Sequence, residues 1–249
     1  MIKGIYTSAL GLIPLEKRLE VIANNLANVN TTAFKRDDAF SNELISASQL
    51  FRDGTPDPTV NDLAQQTYTD FSQGPLQQTS NPLDLALDGQ GFFVVQTANG
   101  PMLTRDGSFT LPQDGTLETR DGAAVMGTEG PIRINNVDQL QRNQLVIQPD
   151  GVIKAGNNVY GQIEVVVPGS YSQLSKAGGN LYQLQEGGSL QQVNESPVSI
   201  KQGYLEGSNV NAIDEMVAMI QLQSDFQAGQ KSIQSQDQSL TQANQVGQV

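Results

Sequence analysis

Both ends of this 249-residue chain carry a heptad apolar repeat that its middle lacks. At the start, Ile5, Leu12, Leu15, Leu19, Ile22, Leu26 and Val29 fall three and four residues apart once Ser8 is included. That spacing draws one stripe along a helix, as in a coiled-coil seam. Gly11 and Pro14 lie inside it. A proline in a helix interior costs ~3 kcal/mol, so either the helix bends there or a second helix begins with Pro14 in its first turn. At the far end, Ala212, Met219, Phe226, Ile233 and Leu240 recur at heptad spacing, and Leu222 adds a point on the second seam position. Val217 and Ile220 belong to another apolar line, so the first turns of this helix have more than one side to bury. Asn211 is placed to cap it, with Asp214 three residues on as in a capping box. Beyond Gln221 the surface is rich in glutamine rather than charge. Two such seams can satisfy each other, or each helix can pack separately on a globular core. Periodicity alone leaves both readings open.

Between the ends the texture is that of strands. Leu83, Leu85 and Leu87 alternate with Asp84, Ala86 and Asp88, the pattern of a half-buried strand. Phe92-Phe93-Val94-Val95 reads as a buried strand, followed by further apolar runs at Leu145–Ile147 and Ile163–Val167. Asp-Gly pairs at 88–89, 106–107, 114–115, 121–122 and 150–151 supply the positive φ of tight hairpin turns. The expected class is α+β: paired, coiled-coil-like N- and C-terminal helices plus a central all-β domain. The expected divisions are an N-terminal helix over 1–33, a connector over 34–78, a central β domain over 79–202 and a C-terminal helix over 203–249. Within the connector, Phe40–Ile45 reads as a brief helix and Gly54–Pro58 as a turn. Lys35-Arg36-Asp37-Asp38 reads as a solvated mixed-charge stretch.

Composition removes several kinds of chemistry. The chain has no cysteine and no histidine, which excludes disulfides, thiol catalysis, the Ser-His-Asp triad and the commonest metal ligands. A net charge of −12 repels a phosphate backbone and anionic lipid, so neither nucleic-acid binding nor direct membrane insertion is expected. No stretch reaches the roughly 18 apolar residues of a spanning helix. The first residues do not read as a cleaved secretory signal. Gly89-Gln90-Gly91 lacks the third glycine and the helix of a dinucleotide loop and reads as a hairpin turn. No Asp-rich loop is closed by a glutamate, so calcium is not expected. No catalytic, metal or cofactor site is expected. The classes left open are a structural assembly protein, a glycosidase that needs only two carboxylates, and a surface-binding β module with helical tails.

One long segment narrows the choice. Leu19 to Lys35, with Ala23-Asn24-Asn25-Leu26-Ala27-Asn28 and then Asn30-Thr31-Thr32-Ala33-Phe34-Lys35, resembles the N-terminal signature of flagellar basal-body rod and hook proteins. Ala33 stands where that family has glycine, which removes the residue type suited to a positive φ. Gly203-Tyr204-Leu205-Glu206-Gly207-Ser208-Asn209-Val210-Asn211 resembles the matching C-terminal signature. Pro82 to Phe93 and Thr104-Arg105-Asp106-Gly107-Ser108-Phe109 resemble the shared central domain. Within the family, the length and Gly130-Pro131-Ile132 fit the proximal rod best, with the distal rod as runner-up.

The resemblance implies a subunit of the hollow axial drive shaft, self- and co-assembling through its terminal helices. Its partners would be other rod proteins, copies of itself and the flagellar type III export apparatus. It would lie in the periplasmic part of the basal body, exported without a cleaved signal peptide, and would not be an enzyme. The residues expected at the assembly interface are Ile5, Leu12, Leu19, Ile22, Asn24, Asn25, Leu26, Asn28, Val217, Met219, Ile220, Phe226 and Ile233. Helices with an unsatisfied apolar face are also expected to order fully only on assembly.

Overall fold

The structure is a computed structural model and describes residues 2–39, 51–52, 55–56, 67–135, 145–185, 187–192 and 198–246. The chain groups into two compact units. The first comprises 1–29, 36–70 and 210–249, and the second comprises 30–35 and 71–209.

The first unit is built from two helices and a short strand pair. The N-terminal helix spans Ile2–Ala27 and runs unbroken through Pro14, so no second helix starts there. Its buried side carries Val21, Ile22 and Asn25, flanked by partly buried Leu12, Leu15, Leu19 and Leu26. Asn28 closes its end, donating from Nδ2 to the carbonyl of Asn24 at 2.9 Å. The C-terminal helix spans Ala212–Val246. Asn211 caps it as expected: its Oδ1 accepts the Ile213 amide at 3.0 Å. Leu222 is buried, and Met219, Phe226, Gly229 and Ile233 are partly buried along the same side. A Cβ placed on Gly229 would lie 2.6 Å from Leu12 Cδ2, so glycine lets Leu12 fill that position. Strands Asp37–Ala39 and Thr67–Thr69 pair antiparallel, with Asp38 opposite Tyr68. The helix expected over Phe40–Ile45 and most of the turn over 54–58 lie outside the described residues.

The second unit is the β-rich part. Strand Phe92–Thr97 is its centre. It pairs antiparallel with Gly100–Thr104 on one edge and with Ala124–Gly127 and Val165–Pro168 on the other. Its side chains alternate between two cores. Phe93 and Val95 join Leu85, Leu87, Phe109, Leu117, Val125, Ile153 and Ile163, while Phe92 and Val94 join Leu103, Val166 and Tyr182. Phe71 stacks on Tyr171 beside the second cluster, with ring centroids 5.1 Å apart. A three-stranded meander, Leu145–Ile147, Val152–Ala155 and Asn158–Gln162, packs Leu145, Ile147 and Ile153 into the first core.

The strand around Leu85 corrects the half-buried expectation. Asp84 and Ala86 are buried along with the leucines, so both faces of the strand are covered; Ser199–Gln202 pairs with one edge, and Asn81 Nδ2 donates to the Asp84 carboxylate at 2.7 Å. Of the Asp-Gly pairs, Gly89, Gly115, Gly122 and Gly151 take the positive φ that their turns need. Gly107 has a different reason to be glycine. A Cβ there would stand 1.8 Å from the Leu85 carbonyl oxygen, inside the close contact that lets Leu85 N–H bond to Gly107. The aspartates at 106, 114 and 150 each accept the amide two residues on, at 3.0–3.1 Å, so these carboxylates fasten turns.

Candidate functional site

The structure assigns the chemistry-bearing residues to two polar clusters and one apolar stripe. The first cluster lies in the helical unit. Asn25 is almost fully buried. Its Nδ2 donates to the Asp37 carbonyl at 2.7 Å, and its Oδ1 accepts the Asp37 amide at 3.0 Å. The side chain thus engages both backbone groups of a strand residue, as a neighbouring strand would. The same Nδ2 lies 3.4 Å from Glu215 Oε1 on the C-terminal helix. Arg36 Nε donates to that oxygen at 2.7 Å. Burial works against the Arg36 charge, but Glu215 and then Asp38 outweigh it, and the guanidinium is held above its ordinary range. Glu215 Oε2 is buried without a hydrogen-bond partner. Asp38 also accepts the Tyr68 hydroxyl at 3.3 Å, and its negative charge raises the phenol above its usual range.

The second cluster lies in the β unit and joins three separated motifs. Glu206 is fully buried. Its Oε1 meets Lys35 Nζ at 2.5 Å and the Gly74 amide at 2.9 Å, and its Oε2 meets Arg105 at 3.2 Å. Lys35 Nζ also donates to the Ser72 carbonyl at 2.6 Å. Arg105 donates to the Gly89 carbonyl at 2.9 Å and lies over the Phe92 ring. Two cations and one carboxylate are therefore taken out of water together. This corrects the reading of Lys35-Arg36-Asp37-Asp38 as a solvated stretch: Lys35 is buried, and Arg36 and Asp37 are held in the contacts above. Ala33 sits between the two clusters in sequence with φ of 56°, the left-handed conformation that its family glycine would supply. It is buried, and its amide donates to the Glu206 carbonyl at 2.8 Å.

The stripe runs along the C-terminal helix. Ile213, Met216, Val217 and Ile220 are spaced i, i+3, i+4 and i+7 and are 68%, 45%, 62% and 67% exposed. They cover the side of the helix away from Glu215 and Leu222, which are both buried.

The residues expected at an interface divide accordingly. Val217 and Ile220 are exposed on the stripe, as is Asn24 on the N-terminal helix. Ile22 and Asn25 are buried within the helical unit, and Leu12, Leu19, Leu26, Asn28, Met219, Phe226 and Ile233 are partly buried. Ile5 lies on the helix, with its side chain outside the described residues. Sequence reasoning missed Ile213, Met216, Glu215 and the Lys35–Glu206–Arg105 cluster. The first two were legible as the i and i+3 members of the Val217/Ile220 line. The cluster joins residues 35, 105 and 206, with no local pattern to link them.

No group of three or more acidic side chains able to hold a metal occurs among the described residues, and no described helix is long and apolar enough to cross a membrane.

Three stretches match known families. Residues 5–35 match the flagella basal body rod protein family, residues 86–155 the flagellar hook protein FlgE/F/G D1 domain, and residues 201–246 the flagellar basal body rod FlgEFG protein C-terminal family. Their spans hold Lys35, Arg105 and Glu206 in turn. The chain is 33% identical over 229 residues to the flagellar basal-body rod protein FlgF of Caulobacter vibrioides, covering 92% of this chain and 91% of that protein. It is also 33% identical over 275 residues to FlgG of Buchnera aphidicola subsp. Schizaphis graminum, covering 99% and 100%. The flagellar hook-basal body complex protein FlhO of Bacillus subtilis is 28% identical over the whole of both chains. On this similarity the chain belongs to the flagellar basal-body rod protein family.

Proposed function

We propose that the chain is a structural, non-catalytic subunit of the flagellar basal-body rod, placed in the proximal rod, with the distal rod as the alternative within the family. Its terminal segments, 1–33 and 203–249, form a coiled-coil-like inner domain that packs side by side with those of its neighbours. The connector over 34–78 links it to the β domain over 79–202. The neighbours are other rod proteins and copies of this chain, around a hollow axis. The subunit is exported by the flagellar type III apparatus without a cleaved signal and sits in the periplasmic part of the basal body. Its terminal helices become fully ordered on assembly.

The observation that supports this most is the stripe Ile213, Met216, Val217 and Ile220. Four apolar side chains stay in water on a helix whose opposite side already packs within its own unit. Such a surface calls for a second partner. The antiparallel order of the helix contacts, Leu12 by Gly229 and Asn25 by Glu215, supports terminal pairing. A glycosidase is not favoured: the buried carboxylates Glu206 and Glu215 are engaged by Lys35, Arg105 and Arg36. The test is imaging of basal bodies from cells lacking the chain. Loss of the rod beyond its base is expected. Loss of the distal part alone moves the subunit to the alternative position, and an intact rod overturns the reading.

A further inference from the structure

The hairpin that joins the central strand Phe92–Thr97 to Gly100–Thr104 ends in a short loop. Thr97 and Gly100 stand opposite each other across the ladder, with Ala98 and Asn99 between them. Thr97 fastens the loop: its Oγ1 accepts the Asn99 amide at 3.2 Å and donates to the Gly100 carbonyl at 2.8 Å. Asn99 is exposed, and Gly100 takes a φ of 110° with open space where a Cβ would stand. No other asparagine in the chain precedes a glycine.

That dipeptide is set up to react with itself. A main-chain nitrogen reaches the Cγ of the preceding asparagine most easily when its own residue has no Cβ to crowd the approach. Other Asn and Asp side chains are held by the amide two residues on, a bond that fixes their orientation. Asn81 accepts the Leu83 amide at 3.2 Å, Asn211 accepts that of Ile213 at 3.0 Å, and Asp106, Asp114 and Asp150 do the same in their turns. At Asn99 the residue two on is Pro101, which has no N–H to offer. The Asp-Gly pairs share the glycine, but a carboxylate is a poorer electrophile than a carboxamide.

We propose that Asn99 is a site of spontaneous deamidation, with the Gly100 nitrogen as the nucleophile. Hydroxide removes the Gly100 amide proton and the nitrogen bonds to Asn99 Cγ. The Cγ–Nδ2 bond breaks, and Nδ2 takes a proton from water and leaves as ammonia. Water then opens the cyclic imide at either carbonyl, giving aspartate or isoaspartate. The sum is water consumed and ammonia released in equal amounts, with no change of oxidation state. Both products add a negative charge at the hairpin tip. Isoaspartate also inserts a methylene into the main chain of a loop whose length sets the strand register. The reaction needs only this hairpin and water, so it does not depend on assembly.

Peptide mapping by mass spectrometry of the full-length chain, aged in buffer at neutral and at mildly alkaline pH, tests it. Deamidation is expected at least about tenfold faster at Asn99 than at any other asparagine, and faster in the alkaline sample. Isoaspartate in the same peptide is read out by enzymatic carboxyl methylation with labelled S-adenosylmethionine. Pro101→Ala returns an amide for the Asn99 side chain to bind and is expected to slow the reaction at least about threefold. Asn99→Gln, which would have to close a larger ring, is expected to remove both the ammonia release and the methylation signal. An unmodified Asn99, or deamidation that appears first at another asparagine, overturns the proposal, as does an unchanged rate in Pro101→Ala.

Discussion

Replacing Val217 and Ile220 together with aspartate separates assembly from folding. Both side chains are about two-thirds in water in the single chain. Fully burying a Val or Ile side chain is worth about 1.5–3 kcal/mol, so the part still available on assembly is about 1–2 kcal/mol each. Losing both removes about 2–4 kcal/mol of contact energy. At 1.4 kcal/mol per decade that weakens each subunit contact by at least about 30-fold. Two carboxylates moved into an apolar interface weaken it further. The isolated chain should hardly notice, because exposed substitutions change stability by about 0.5 kcal/mol or less. The assay is quantitative detection of the chain in purified basal bodies, alongside thermal unfolding of the soluble protein. We expect incorporation to fall to a few per cent with an unchanged melting midpoint. Val146 and Val159 lie exposed on the β meander and provide the control. The same change there should leave incorporation intact. Normal incorporation of the Val217/Ile220 variant would refute the reasoning.

Other outcomes follow from the buried clusters. Glu206→Gln leaves the Lys35 and Arg105 cations without their shared carboxylate, and urea unfolding should show a loss of about 3–5 kcal/mol, against less for Lys35→Met; equal losses would contradict the asymmetry of the cluster. Ala33→Gly should be neutral within about 1 kcal/mol, since relief of the left-handed strain is offset by chain entropy and the lost methyl, whereas Ala33→Val should cost about 2–3 kcal/mol in the same assay. The raised Tyr68 phenol means that the folded state holds its proton more tightly than the unfolded chain. Its contribution to stability is therefore present below the ordinary tyrosine range and is lost as pH rises through the folded value. Asp38→Asn should bring the Tyr68 titration down toward its ordinary range by NMR, and an unmoved titration would rule out Asp38 as the main cause.

Much of the architecture is legible in local pattern. The heptads at both ends mark the two helices, and four of the Asp-Gly pairs mark turns with positive φ, because those signals lie within a few residues of one another. The features that escape such reading are long-range. Lys35 looks like a surface residue beside Arg36 and two aspartates until residues 105 and 206 are brought to it. Gly107 looks like one more turn glycine, but its need is the approach of Leu85. Strand 76–78 lies in a stretch that reads as connector because its partner, 204–206, is far away in sequence. Ala33 shows the limit of the propensity argument: contacts on both sides hold a residue with a Cβ in a conformation that its type disfavours.

The chain has no cysteine of its own, so single-cysteine variants can report contacts without background. The most direct test of the assembly account is crosslinking in isolated basal bodies with cysteine introduced at Val217 or Ile220, compared with Val159 on the β meander. We expect subunit–subunit crosslinks from the two helix positions in the assembled rod, none from the dilute monomer, and none from Val159→Cys. Crosslinks from Val159→Cys with none from Val217→Cys or Ile220→Cys would contradict it.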